Sequence, residues 1–134
     1  MPDKKKILIV DDEQDLCLLL SKKFEMFGFE VFTAFDGQSG FQKAIEVVPD
    51  CIVLDVRMEK GDGLTFLRWL RSFRHEDIKL EEKIRTTPVI ILTAAGGGMK
   101  ALFEVEGAND FAQKPFDSND LKNRIMRLLE AKEK

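Results

Sequence analysis

The chain has 134 residues, a formal net charge of −3 and a pI near 5.3, which argues against nucleic acid or an anionic membrane as its main partner. With 44% hydrophobic and 34% charged residues it has the composition of an ordinary globular protein, enough for one domain over 1–134 with a core of about 5–130. Disorder is not expected.

Lys4-Lys5-Lys6 is followed by only four apolar residues, too few for a signal peptide, and no stretch approaches the roughly 18 apolar residues of a membrane span, so a cytoplasmic location is expected. The first strand is Ile7-Leu8-Ile9-Val10, running into Asp11-Asp12. Asp12 then caps a helix over roughly 13–27, with Leu16, Leu19, Leu20, Phe24 and Phe27 at helical spacing and Gly28 as its stop. Glu30 to Phe35 reads as an edge strand, and Asp36-Gly37 turns it into a helix over roughly 37–47 with Phe41, Ala44, Ile45 and Val48 inward. Pro49-Asp50 breaks that helix before the strand Cys51-Ile52-Val53-Leu54, which ends on Asp55.

Gly61-Asp62-Gly63 opens a third helix, apolar at Leu64, Phe66, Leu67, Leu70 and Phe73. The charged stretch His75–Arg85 either prolongs that helix or forms a loop. Val89-Ile90-Ile91-Leu92 is a fourth strand ending on Thr93, followed by Gly96-Gly97-Gly98 and a short helix around 99–106. Asp110-Phe111-Ala112-Gln113 is a weaker fifth strand delivering Lys114-Pro115, and Asp117 caps a last helix carrying Leu121, Ile125, Leu128 and Leu129. Cys17 and Cys51 sit in apolar segments without CxxC spacing and read as reduced core residues.

Strands alternating with helices imply βαβ units, a parallel sheet and a three-layer α/β sandwich. Parallel strands bring their C-terminal ends to one edge, where open α/β sheets bind ligands. Three carboxylates (Asp11, Asp12, Asp55), the Thr93 hydroxyl and the Lys114 ammonium then meet in one crevice, a set suited to a divalent cation and a phosphoryl group. Clustered carboxylates repel one another unless a positive charge lies among them.

Asp-Asp, Asp, Thr and Lys-Pro after strands one, three, four and five resemble the response-regulator receiver domain over essentially the whole chain. The resemblance implies a doubly wound, flavodoxin-like sheet of order 2-1-3-4-5 with helices on both faces. It implies phosphorylation of Asp55 by the phosphohistidine of a sensor histidine kinase or phosphotransfer protein. Mg²⁺ is the implied cofactor, held by Asp12 and Asp55, by Asp11 directly or through water, and by the backbone carbonyl of Arg57. Lys114 and Thr93 are implied to bind phosphoryl oxygens, and Phe111 matches the family's switch aromatic, changing rotamer as Thr93 moves. The switch acts on the face made by the helix after strand four, strand five and the last helix. A downstream protein target is expected, with no direct nucleic-acid or membrane contact, and homodimerisation stays open.

Two features depart from the family pattern. Glu59 stands where proline is usual in Asp55-Val56-Arg57-Met58-Glu59, and the interval to Thr93 is longer than usual around His75–Arg85. The Arg57 side chain is expected at the mouth of the acid pocket, shielding or steering the hydrolytic water. A phosphatase of the haloacid-dehalogenase type would need a second acid where Arg57 stands. A degenerate receiver that only binds proteins is the other alternative. The glycine run lacks a following Lys-Ser/Thr and is no phosphate-cradling P-loop. His75 reads as a solvated surface residue, and Phe66, Trp69 and Phe73 as packing.

Overall fold

The structure is a computed structural model describing residues 4–55, 63–93, 100–114 and 116–133. Its elements in chain order are β1 (Lys6–Val10), α1 (Gln14–Met26), β2 (Glu30–Ala34), α2 (Gly37–Val47), β3 (Cys51–Asp55) and α3 (Gly63–Arg71). They continue with α4 (Ile78–Arg85), β4 (Val89–Thr93), α5 (Lys100–Val105), β5 (Asp110–Gln113) and α6 (Ser118–Glu133). The five strands pair in parallel in the order β2-β1-β3-β4-β5. This is the expected doubly wound sheet, with its strand-order switch between β1 and β3.

Continuous apolar runs make the central strands because both of their faces are covered. Ile7, Ile9, Val53, Ile90 and Leu92 point to one face, where Cys17, Leu20 and Phe24 of α1 meet Leu121, Ile125 and Leu129 of α6. Leu8, Val10, Ile52, Leu54 and Ile91 point to the other, against Ala44 of α2, Phe66, Leu67 and Leu70 of α3, Ile84 of α4 and Phe103 of α5. Both cysteines are free and buried, as expected, and burial pushes each thiol up to about 12. Trp69 and Phe73 pack at 5.7 and 6.1 Å from the Phe41 ring.

Helix ends follow local chemistry. Gly28 has φ +100°, its N–H donates to Glu25 O (3.0 Å), and the Phe29 N–H donates to Phe24 O (3.0 Å). This left-handed stop also sets the Phe29 ring edge-on to Phe24. Asp117 Oδ1 accepts the Asn119 N–H at 2.8 Å, so Asp117 caps α6 as expected.

Three expectations are corrected. His75–Arg85 neither prolongs α3 nor stays a loop: it holds the separate helix α4, giving six helices rather than five among the described residues. Asp77 starts α4 by accepting from the Lys79 and Leu80 N–H groups (3.1 and 3.2 Å), and Lys83 ties it to Asp50 (3.1 Å). Asp12 does not cap α1: the N-cap is Glu13, whose N–H donates to Asp11 Oδ1 at 3.0 Å. Leu19 is 55% exposed, because Cys17 takes the inward position beside Leu20 and Phe24.

Candidate functional site

β1 and β3 are neighbours, so their C-terminal ends bring Asp11 and Asp55 into one crevice at the switch point. Asp11 is wholly buried and Asp55 is 4% exposed, while Asp12, two residues beyond the end of β1, faces solvent. One carboxylate oxygen from each of the three lies within 4.8 Å of the other two. The strand-end position explains this: the apolar side chains of β1 and β3 fill the core, and the first polar residues beyond them emerge together.

Lys114 comes from the end of β5. Its backbone N–H donates to Thr93 O at 2.7 Å, fixing the lysine to the end of β4. Its Nζ lies 3.5 Å from Asp11 Oδ2, 3.5 Å from Asp55 Oδ1 and 3.2 Å from Glu13 Oε1. Burial pulls the Lys114 ammonium down, but Asp55, Asp11 and Glu13 outweigh it and hold its pKa above the ordinary value. Asp11 moves to about 6: burial raises it most, the Glu13 N–H opposes, and the Asp55 charge adds to the rise. Asp11 Oδ2 is a buried oxygen without a hydrogen-bond partner among the described residues.

Asp11, Asp12, Asp55, Thr93 and Lys114 therefore converge at one sheet edge. Phe111 lies three residues upstream of Lys114 on β5, half-buried and packed against the α3 side of the sheet. Arg57, Glu59, Gly61-Asp62, Gly96-Gly97-Gly98 and Pro115 lie outside the described residues. Glu13 was not singled out from the sequence, although an acid directly after Asp11-Asp12 at a helix start was the available signal.

The donor set fits a hard divalent cation. Three aspartate carboxylates gather beside one ammonium, every donor is oxygen, and one buried oxygen accepts no hydrogen bond among the described residues.

A doubly wound parallel sheet whose switch-point crevice gathers three aspartates and a strand-end lysine defines the receiver class of α/β domain. A family model described as the response regulator receiver domain matches residues 7–126. The chain belongs to this family of two-component signalling proteins, which are not enzymes in the usual sense. It is 35% identical over 130 residues to the alkaline phosphatase synthesis transcriptional regulatory protein PhoP of Bacillus subtilis, covering 96% of this chain and 50% of PhoP. It is 38% identical over 125 residues to the transcriptional regulatory protein CpxR of Escherichia coli, covering 92% of this chain and 49% of CpxR. The chain thus spans about half the length of these curated relatives. Among solved structures it resembles the chemotaxis response regulator CheY4 of Vibrio cholerae, with TM-score 0.82 and 28% identity over 94% of this chain and 99% of that one. A receiver domain protein from Clostridium thermocellum gives TM-score 0.79 and 28% identity over 96% and 97%. No helix among the described residues is long and apolar enough to cross a membrane.

Proposed function

We propose that the chain is a phosphoacceptor receiver in which Asp55 takes a phosphoryl group from the phosphohistidine of a sensor histidine kinase or phosphotransfer protein. The observation that carries this reading is the position of Lys114 Nζ, 3.5 Å from both Asp11 and Asp55 in a pocket that also holds Asp12. A carboxylate beside an ammonium and two further acids suits charge transfer at phosphorus better than burial for stability alone.

Asp55 is the nucleophile: its carboxylate oxygen bonds to phosphorus while the phosphorus–nitrogen bond of the donor breaks, and the electron pair leaves on the imidazole. Asp11, Asp12 and Asp55, with the Arg57 carbonyl, would hold Mg²⁺, which when bound neutralises charge that builds on the phosphoryl oxygens. Lys114 binds one phosphoryl oxygen as a point charge, and the Thr93 hydroxyl donates to another. Because Lys114 N–H and Thr93 O are joined, a pull on Thr93 is felt at the end of β5. Phe111 then changes rotamer and alters the α5–β5–α6 face. Asp110 and Arg124 already tie β5 to α6 on that face at 2.9 Å.

The partners are the phosphodonor and a downstream protein target reading this face, in the cytoplasm, with no membrane contact. PhoP and CpxR are named transcriptional regulators, and a DNA-directed output of that kind would be served by the same face. The receiver surface itself, in a chain of net charge −3, is not the part that meets DNA. Residues 1–134 act as one domain.

Incubation with acetyl phosphate and Mg²⁺, followed by intact mass, tests the reading. One adduct, lost with Asp55→Asn or chelator, supports it. Many equivalents turned over without an adduct would mean a hydrolase, and no change would leave a protein-binding module.

A further inference from the structure

Glu13 is the N-cap residue of α1, yet its side chain makes no capping bond. Its Oε1 instead accepts a hydrogen bond from Lys114 Nζ at 3.2 Å, closer than the 3.5 Å from the same nitrogen to Asp11 and to Asp55. The two ends of this contact live in different surroundings. The Glu13 side chain is 62% exposed, that of Lys114 25% and that of Asp55 6%. Glu13 therefore pulls the ammonium toward the mouth of the pocket, and the two buried aspartates pull it inward.

We infer that Glu13 is a positioning residue that holds Lys114 at the pocket mouth in the resting protein and releases it when a phosphoryl group arrives. The inference rests on the reading of Asp55 as phosphoacceptor and adds a residue to it. Two physical points support an exchange of partners. A lysine needed by an incoming dianion is more available in a solvent-facing pair, which is weak, than in a closed pair with Asp55, where burial strengthens attraction. The held position also keeps the ammonium 3.5 Å from Asp55 Oδ1, on the carboxylate that would carry phosphorus. Glu13 then competes with the phosphoryl group for Lys114, and its removal tightens phosphoryl binding.

The test is a double-mutant cycle read by calorimetric binding of fluoroberyllate, a phosphoryl mimic, with saturating Mg²⁺. Glu13→Gln removes the charge from a mostly exposed side chain and leaves the N-cap backbone in place. In the parent background Glu13→Gln is expected to tighten fluoroberyllate by about two- to fivefold, the scale of an exposed ion pair. In a Lys114→Met background, where binding is weaker overall, the same substitution is expected to change affinity by less than about 1.5-fold, within the scatter of uncoupled sites. An equal gain in both backgrounds would make Glu13 a mere repelling charge, and no gain in the parent would show no competition for Lys114. Either result overturns the inference. A parent that binds no fluoroberyllate at all overturns the phosphoacceptor reading, and this inference with it.

Discussion

The ammonium of Lys114 stands 3.5 Å from Asp11 Oδ2, an oxygen wholly buried and without a hydrogen-bond partner among the described residues. The pair is close enough for attraction, yet the oxygen accepts no hydrogen bond among the described residues. In the cation-free protein this costs stability, because a buried carboxylate charge is incompletely compensated.

That cost has a definite pH dependence. Asp11 is raised to about 6, with burial as the main cause, so the folded protein keeps this proton to higher pH than the unfolded chain does. Between about pH 4 and pH 6 the unfolded state binds fewer protons here, and this group's contribution to stability falls as pH rises. Denaturant unfolding in chelator should show Asp11→Asn gaining on the parent across that window, by up to about 3 kcal/mol at neutral pH. Saturating Mg²⁺ should reverse the order, stabilising the parent more than the variant. A variant less stable than the parent at neutral pH without metal would contradict this account of Asp11.

Arg71 is a half-buried cation satisfied by neutral oxygens. Nε and Nη2 donate to Gly107 O, Nη1 donates to Arg85 O and Thr87 O, and Nη2 also reaches Asn109 Oδ1, at 2.7–3.1 Å. Its burial pulls the guanidinium down to about 10. The carbonyls are at or just beyond the C-terminal ends of α4 and α5, where helix dipoles favour a cation. Arg71→Leu strands those oxygens and should cost about 2–4 kcal/mol in denaturant unfolding, with Arg71→Lys losing less. A loss under about 1 kcal/mol would show that water replaces the guanidinium at little cost.

Two glycines separate backbone strain from crowding. At Gly28, φ is +100° and an added Cβ meets nothing within 4 Å, so Gly28→Ala should cost about 1–2 kcal/mol through conformation alone. At Gly40 an added Cβ falls 2.8 Å from Val10 Cγ1 and 3.3 Å from Phe66 Cε2, so crowding should outweigh the gain in helix propensity. In a Val10→Ala background Gly40→Ala should become stabilising. Thermal unfolding of the four proteins decides this, and a loss that persists without the Val10 methyls would place the cost in the backbone.

The sheet was legible because β1, β3 and β4 are uninterrupted apolar runs, a pattern that only two-sided burial explains. Their terminal Asp11, Asp55 and Thr93 followed from strand direction alone, and the position of Lys114 from the fifth run. α4 was harder to read, since only Ile84 of its eight residues is fully buried and the remainder look like a solvated loop. Its start signal, Asp77 before Ile78-Lys79-Leu80, was present but short-range. Leu19 shares the helical spacing of Leu16 and Leu20, but the buried stripe of α1 runs through Cys17, Leu20 and Phe24 and leaves Leu19 outside it. Glu13 carries only a weak local mark, an acid directly after Asp11-Asp12, because its contact with Lys114 spans 101 positions.

The central claim is that Asp55 accepts phosphorus, and the most direct measurement locates the adduct. Protein exposed to acetyl phosphate with Mg²⁺, reduced with borohydride and digested, should carry homoserine at position 55 and at no other aspartate. Intact aspartate at 55, or a modification at Asp11 or Asp12 instead, would contradict the account.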